Sequence, residues 1–122
     1  MENINERYLY FLLESSKPVY VKEPWVLDIV RKYPHFEINN QNQETFVDDL
    51  SSFMHNNGNV KKAFVIIDTT EMNDDMQKRI SCLVKDNAYQ TLKIFDNCKI
   101  IATGKSNNIN KELLGLLVLV DV

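Results

Sequence analysis

Glycine is scarce here: three in 122 residues, at Gly58, Gly104 and Gly115. None lies near the first apolar segment, Val19-Tyr20-Val21, so that segment is not followed by a glycine-rich turn that could cradle phosphates with its backbone N–H groups. Cysteine is limited to Cys82 and Cys98, too few for a disulfide framework. Both sit in apolar-patterned segments and read as reduced core residues of a cytosolic protein. The two histidines, His35 and His55, have no ligand-spaced Cys or His partner, which argues against zinc. Basic excess is also missing. A net charge of −3 and a pI near 5.3 argue against a general nucleic-acid or anionic-membrane binder. The longest apolar run, Leu113 to Val120, is interrupted by Gly115 and is far short of a membrane span. The N-terminus is acidic and polar, without a basic stretch followed by an apolar one, so no secretory signal is read and a cytoplasmic location is expected.

What is present is an ordinary globular composition, 44% hydrophobic and 25% charged, in a chain of one-domain length (1–122). One stretch organises it. Ala63-Phe64-Val65-Ile66-Ile67 is an unbroken apolar run ending abruptly at Asp68. A strand covered on both faces reads this way, whereas a half-exposed strand alternates. Asp68 then falls at the carboxyl end of a central strand, where ligands gather in open α/β sheets.

Around that strand the pattern alternates. Ile4 to Glu14 reads as a helix broken by Pro18, and Val19 to Val21 as a short strand. Pro24 opens a helix with Trp25, Val26, Ile29, Val30 and Tyr33 on its buried face, stopped by Pro34. His35 to Asn39 is a second strand, and a third helix runs from about Glu44 to His55, closed by Asn56-Asn57-Gly58 with glycine in the left-handed position. After the central strand, Asn73 caps a helix carrying Asp74 and Asp75 in its first turn and Met76, Ile80, Leu83 and Val84 on its apolar stripe. Cys98 to Thr103 is a strand, Asn110 to Leu114 a short helix, and Leu116 to Val120 a last strand. Strict αβ alternation predicts an α/β, three-layer sandwich around a mainly parallel five-stranded sheet.

The second half, Lys62 to Val122, resembles the nucleotide-binding core of the AAA+ ATPases. Ala63 to Asp68 is similar to the Walker B strand with its terminal aspartate, Asn73 to Asn87 to the following helix, and Asn97 to Thr103 to the sensor 1 strand. Asn110 to Leu114 and Leu116 to Val122 resemble the short helix and fifth strand that close the core, and Tyr8 to Val21 resembles the helix and strand before a Walker A loop. The resemblance implies a P-loop NTPase-like fold. Its departures imply lost chemistry. Lys22-Glu23-Pro24-Trp25 stands where the Walker A loop belongs, with no glycine, a proline lacking its N–H, and a carboxylate where phosphates would sit. Thr69 stands where the family has the glutamate that polarises the attacking water, Leu114-Gly115-Leu116 offers no arginine finger, and no helical lid is expected after the last strand. Gly104-Lys105-Ser106 looks like the end of a Walker A motif, but the glycine required five positions earlier is Lys99.

Asp68, Glu71, Asp74 and Asp75 have the hard oxygen donors of a magnesium or calcium site, but helix-dipole complementation and strand-turn capping account for them as well. Asp68 is the one metal-ligand candidate kept. Lys61, Lys62, Lys78, Arg79, Lys99 and Lys105 are too scattered for a basic patch and read as solvated. The leading expectation is a non-catalytic AAA+-like domain, without nucleotide or other cofactor, acting by protein–protein contact. It would regulate or mimic an ATPase subunit, with a phage or mobile-element origin as the associated conjecture. Its expected interaction surface is Glu23, Trp25, Asp68 and Ser106. Two alternatives stand beside it: a small metal-dependent phosphotransfer or hydrolase enzyme using Asp68 with Glu71 or Asp75, and a clamp-loader-like nucleic-acid accessory.

Overall fold

Five consecutive apolar residues leave a strand no side for water, and Ala63, Phe64, Val65, Ile66 and Ile67 are all fully buried in the computed structural model. The structure describes residues 14–15, 17–22, 24–90, 92–104 and 109–120. The expected helix from Ile4 falls outside them except for Glu14, and so do Glu23, Lys105 and Ser106.

The elements are β1 (Val19–Val21), α1 (Pro24–Val30), β2 (His35–Ile38), α2 (Phe46–Asn56), β3 (Ala63–Asp68), α3 (Asp74–Asp86), β4 (Ala88–Tyr89), β5 (Leu92–Lys93), β6 (Cys98–Thr103), α4 (Lys111–Gly115) and β7 (Val118–Val120). β2, β3, β6, β1 and β7 lie side by side in that order, every neighbouring pair parallel. β3 and β6 pair along their full length, from Ala63 opposite Cys98 to Asp68 opposite Thr103. Side chains of the inner strands alternate between two apolar clusters. Val19, Val21, Phe64, Ile66 and Ile101 pack with Val26, Leu27 and Val30 of α1. Tyr20, Val65, Ile67, Ile100 and Ala102 pack with Phe46, Leu50 and Met54 of α2 and Met76, Ile80 and Leu83 of α3. Each such buried aliphatic or aromatic side chain contributes roughly 1.5–3 kcal/mol relative to exposure.

Several boundaries differ from the sequence reading, each for a local reason. α1 stops at Val30 instead of running to Tyr33, and the backbone tightens through Lys32 N–H to Ile29 O and Tyr33 N–H to Val30 O. Tyr33 is therefore 36% exposed instead of core, with its ring edge-on to Phe64 at 5.5 Å. α2 is closed by Asn57, whose backbone N–H reaches Phe53 O and Met54 O while its side-chain amide also donates to Phe53 O. Gly58 does not take the expected left-handed conformation, since Gly104 is the positive-φ glycine among the described residues. The strict alternation is interrupted by a small antiparallel hairpin, β4 with β5, between α3 and β6. Its turn uses Gln90 at φ 56° without a glycine or Asn-Gly signal, so nothing in the residue types marks it. β7 begins at Val118, because Leu116 and Leu117 are held in a turn by the carbonyls of Leu113 and Leu114.

α3 begins as its sequence predicts. The Asn73 side chain accepts from Met76 N at 2.8 Å, an N-cap of about 1 kcal/mol, and Asn87 ends the helix in the left-handed conformation.

Candidate functional site

The carboxyl edge of the sheet brings together the ends of β1, β3 and β6. Asp68 is half-buried there, and its Oδ1 accepts from Thr70 N at 2.9 Å, closing a turn on itself. Thr69 points inward and is completely buried. Its backbone N–H and its hydroxyl both donate to Thr103 O, at 3.0 and 3.1 Å. Gly104 packs directly on it. A Cβ at Gly104 would overlap the Thr69 hydroxyl and stand 3.3 Å from Thr69 Cβ, and the glycine holds φ 141°, a conformation unsuited to other residues. The Gly104 carbonyl accepts from the Tyr20 hydroxyl at 2.7 Å, joining β1 to the end of β6. Burial pushes the Tyr20 phenol above its ordinary value, so it remains a donor.

Glu71 occupies the left-handed region at φ 60°, and its carboxylate accepts from Asn40 Nδ2 at 3.3 Å. Asp74 and Asp75 are exposed in the first turn of α3. Asp74 Oδ1 accepts from Asn110 Nδ2 at 2.6 Å and its other oxygen pairs with Lys78 at 3.4 Å. The Asn110 hydrogen bond, and then Lys78, hold the Asp74 carboxyl below its usual range. The fold thus commits three of the four acidic candidates, Asp68, Glu71 and Asp74, each to a neighbour. Among the described residues no three His, Cys, Asp or Glu side chains are arranged to hold a metal ion.

Between the end of β1 at Val21 and the start of α1 at Pro24 stand two residues, Lys22 and Glu23. A phosphate-wrapping loop of the form GxxxxGK[ST] needs several residues between strand and helix to curl its N–H groups around an anion. Trp25, in the first turn of α1, is half-buried and packs against the cluster of Val19, Val21 and Phe64. Of the expected interaction surface, the structure places Asp68 at the sheet edge and Trp25 against this cluster. Glu23 and Ser106 lie outside the described residues.

The opposite, amino edge carries residues that sequence reasoning read differently. Lys99 is 2% exposed, not solvated, and its Nζ donates to Ser15 O at 2.6 Å. It lines a pocket with Lys62, Cys98, Asn87, Asp96 and Glu14. Burial first, and Lys62 second, pull the Lys99 ammonium down to about 8. Cys98 is half-buried beside Met54 Sδ at 3.4 Å, and burial pushes its thiol up to about 11. Cys82, expected in the core, is exposed on α3, because it falls between the buried positions Ser81 and Leu83. His35 bonds to Tyr33 O and His55 packs edge-on to Phe95. One signal could have exposed the amino-edge site: a lysine inside the apolar run Cys98 to Thr103 has to be buried or break the strand.

No protein-family model matches the chain, and no curated protein matches it. Among solved structures it is similar to a variant of RuvB from Thermotoga maritima, an AAA+ ATPase, with a TM-score of 0.63 at 13% identity. That similarity covers 97% of this chain and 44% of the RuvB chain, so this chain spans less than half the length of that protein. Among the described residues no helix is long and apolar enough to cross a membrane. At this identity the likeness speaks for architecture: the chain has an α/β fold of the AAA+/P-loop kind, built on a mainly parallel sheet.

Proposed function

We propose that this protein is a non-catalytic AAA+-like domain, a three-layer P-loop NTPase-like sandwich that has given up nucleotide chemistry and works through protein–protein contact. The observation that carries the reading is the junction of β1 and α1, where two residues stand in place of a phosphate-binding loop. Backbone N–H groups at that position cannot encircle a triphosphate, and Pro24 contributes none. Thr69 supports the same reading. It occupies the position of the water-polarising glutamate, has no titratable group, and is buried with its hydroxyl directed at Thr103 O. A base must reach the proton it removes, and this side chain faces the sheet instead. The partner in this reading is a protein, for instance an ATPase subunit that the domain regulates or mimics, in a phage or another mobile element.

Isothermal titration with ATP and ADP, with and without magnesium, tests it. The expected result is no heat of binding at ligand concentrations up to the millimolar range typical of weak contacts. Micromolar affinity for either nucleotide overturns the proposal.

A further inference from the structure

The turn after α2 holds a glycine that the fold does not need. Asn57 is the one asparagine in the chain followed by glycine. Gly58 keeps out of the left-handed region, and a Cβ there would meet Phe95 Cε2 at 3.5 Å, Met54 O at 3.7 Å and His55 O at 3.8 Å, all ordinary contacts. What glycine supplies is chemical. No side chain shields the nitrogen of this exposed residue, and it donates to no acceptor among the described residues. We infer that Asn57–Gly58 is a site of spontaneous deamidation, held back by the closed turn and released when the end of α2 opens. It lies at the amino edge and stands apart from the carboxyl-edge reading.

The closed turn keeps the reacting atoms apart. At Asn57 ψ is 19°, which sets the Gly58 nitrogen beside Asn57's own nitrogen and away from its Cβ. The Asn57 side chain is held back along the helix, its Nδ2 donating to Phe53 O at 2.9 Å. Asn97 fixes the backbone in this form by donating to Asn57 O at 3.0 Å and Val60 O at 2.9 Å. Once these bonds open, a solvent base takes the Gly58 N–H proton and the nitrogen lone pair forms a bond to Asn57 Cγ. The Cγ–Nδ2 bond then breaks, and Nδ2 leaves as ammonia with a proton from water. Water opens the resulting five-membered imide at either carbonyl. One product is aspartate; in the other the main chain runs through Cβ and Cγ. Helix ends open locally without global unfolding, so the native rate is the open-chain rate multiplied by the open fraction.

Either product undoes the turn that made it. Aspartate puts a carboxylate where the amide now donates to Phe53 O, at the negative end of α2. The rearranged product turns the carbonyl that Asn97 clamps into a free carboxylate. The loss of ammonia is one-way, so the turn records how often it has opened.

The test is a time course. The protein is incubated in mildly alkaline buffer, folded or in guanidinium chloride, and the amide-to-acid mass gain is mapped by peptide mass spectrometry. In the folded protein the Asn57 peptide is expected to convert ahead of every other asparagine peptide, yet at least tenfold more slowly than in denaturant. Gly58→Ala, whose Cβ has room, is expected to slow conversion at least tenfold in both states. Asn97→Ala, with a melting curve to show that it folds, is expected to speed the folded-state conversion several-fold and leave the denatured rate unchanged. Equal rates for the folded and denatured unsubstituted protein overturn the closed turn as the restraint. Folded-state conversion at Asn57 no faster than at the other asparagines overturns the site, without recourse to any variant. An unchanged folded-state rate in folded Asn97→Ala overturns the part given to Asn97.

Discussion

The two edges of the same sheet solve the problem of polar groups at strand ends in opposite ways. At the carboxyl edge the groups satisfy one another: Asp68 with Thr70, Thr69 with Thr103, Tyr20 with Gly104. Side chain, hydroxyl and carbonyl are matched and nothing there needs to change charge. At the amino edge the turn before β6 is clamped by Asn97, whose amide donates to Asn57 O and Val60 O at 3.0 and 2.9 Å. Beside that clamp sits a buried amine whose protonation the surroundings oppose. In open α/β sheets ligands gather at the carboxyl edge. Here the carboxyl edge is the matched one, and the largest shifts, at Lys99 and Cys98, lie at the other. A perturbed group marks a place where the environment and the charge disagree, and such places are where chemistry is found.

Substitutions can break this contrast. The largest effect is expected from Thr69→Glu, which puts a carboxylate into a fully buried position. An uncompensated carboxylate there should cost roughly 3–5 kcal/mol in urea unfolding and confer no ATP hydrolysis. A stable variant with ATPase activity would show that the carboxyl edge is open after all. Gly104→Ala comes next, at about 2–3 kcal/mol, because the backbone at φ 141° and the Thr69 hydroxyl both oppose a Cβ. In a Thr69→Ala background the same change should cost less, and a double-mutant cycle measures the coupling. Equal costs in both backgrounds would locate the strain in the backbone alone.

On the amino edge, Asn97→Ala leaves two carbonyls without their donor and should cost about 2 kcal/mol by chemical denaturation. The last effect is read as a slope. The folded-state value of Lys99 lies below its unfolded one, so between about 8 and 10.5 the unfolded chain binds more protons than the native state. Stability should therefore rise with pH through that window, and Lys99→Met should remove that part of the rise. An unchanged pH profile in the variant would assign the rise to other groups.

Much of this was legible in the residues. The run Ala63–Ile67, the stop at Asp68, the Asn73 cap and the αβ order each have a local cause that a linear pattern records. The hairpin at Ala88–Lys93 did not show, because Gln90 adopts positive φ without the glycine or asparagine that advertises it. Tyr33 and Cys82 were misplaced for the same kind of reason, since a helix end shifted by one turn, or a position one residue off the stripe, trades core for solvent.

From the sequence alone came the central strand and the parallel alternation, both consequences of neighbouring residues and their periodicity. The tertiary structure alone decided that Thr69 turns into the sheet, that Gly104 leaves it room, and that Lys99 meets Lys62 in a pocket. Those outcomes depend on which strands become neighbours and at what register. Pairing Asp68 with Thr103 and Ala63 with Cys98 brings together side chains from distant parts of the chain, and that proximity, not residue type, sets their burial and charge.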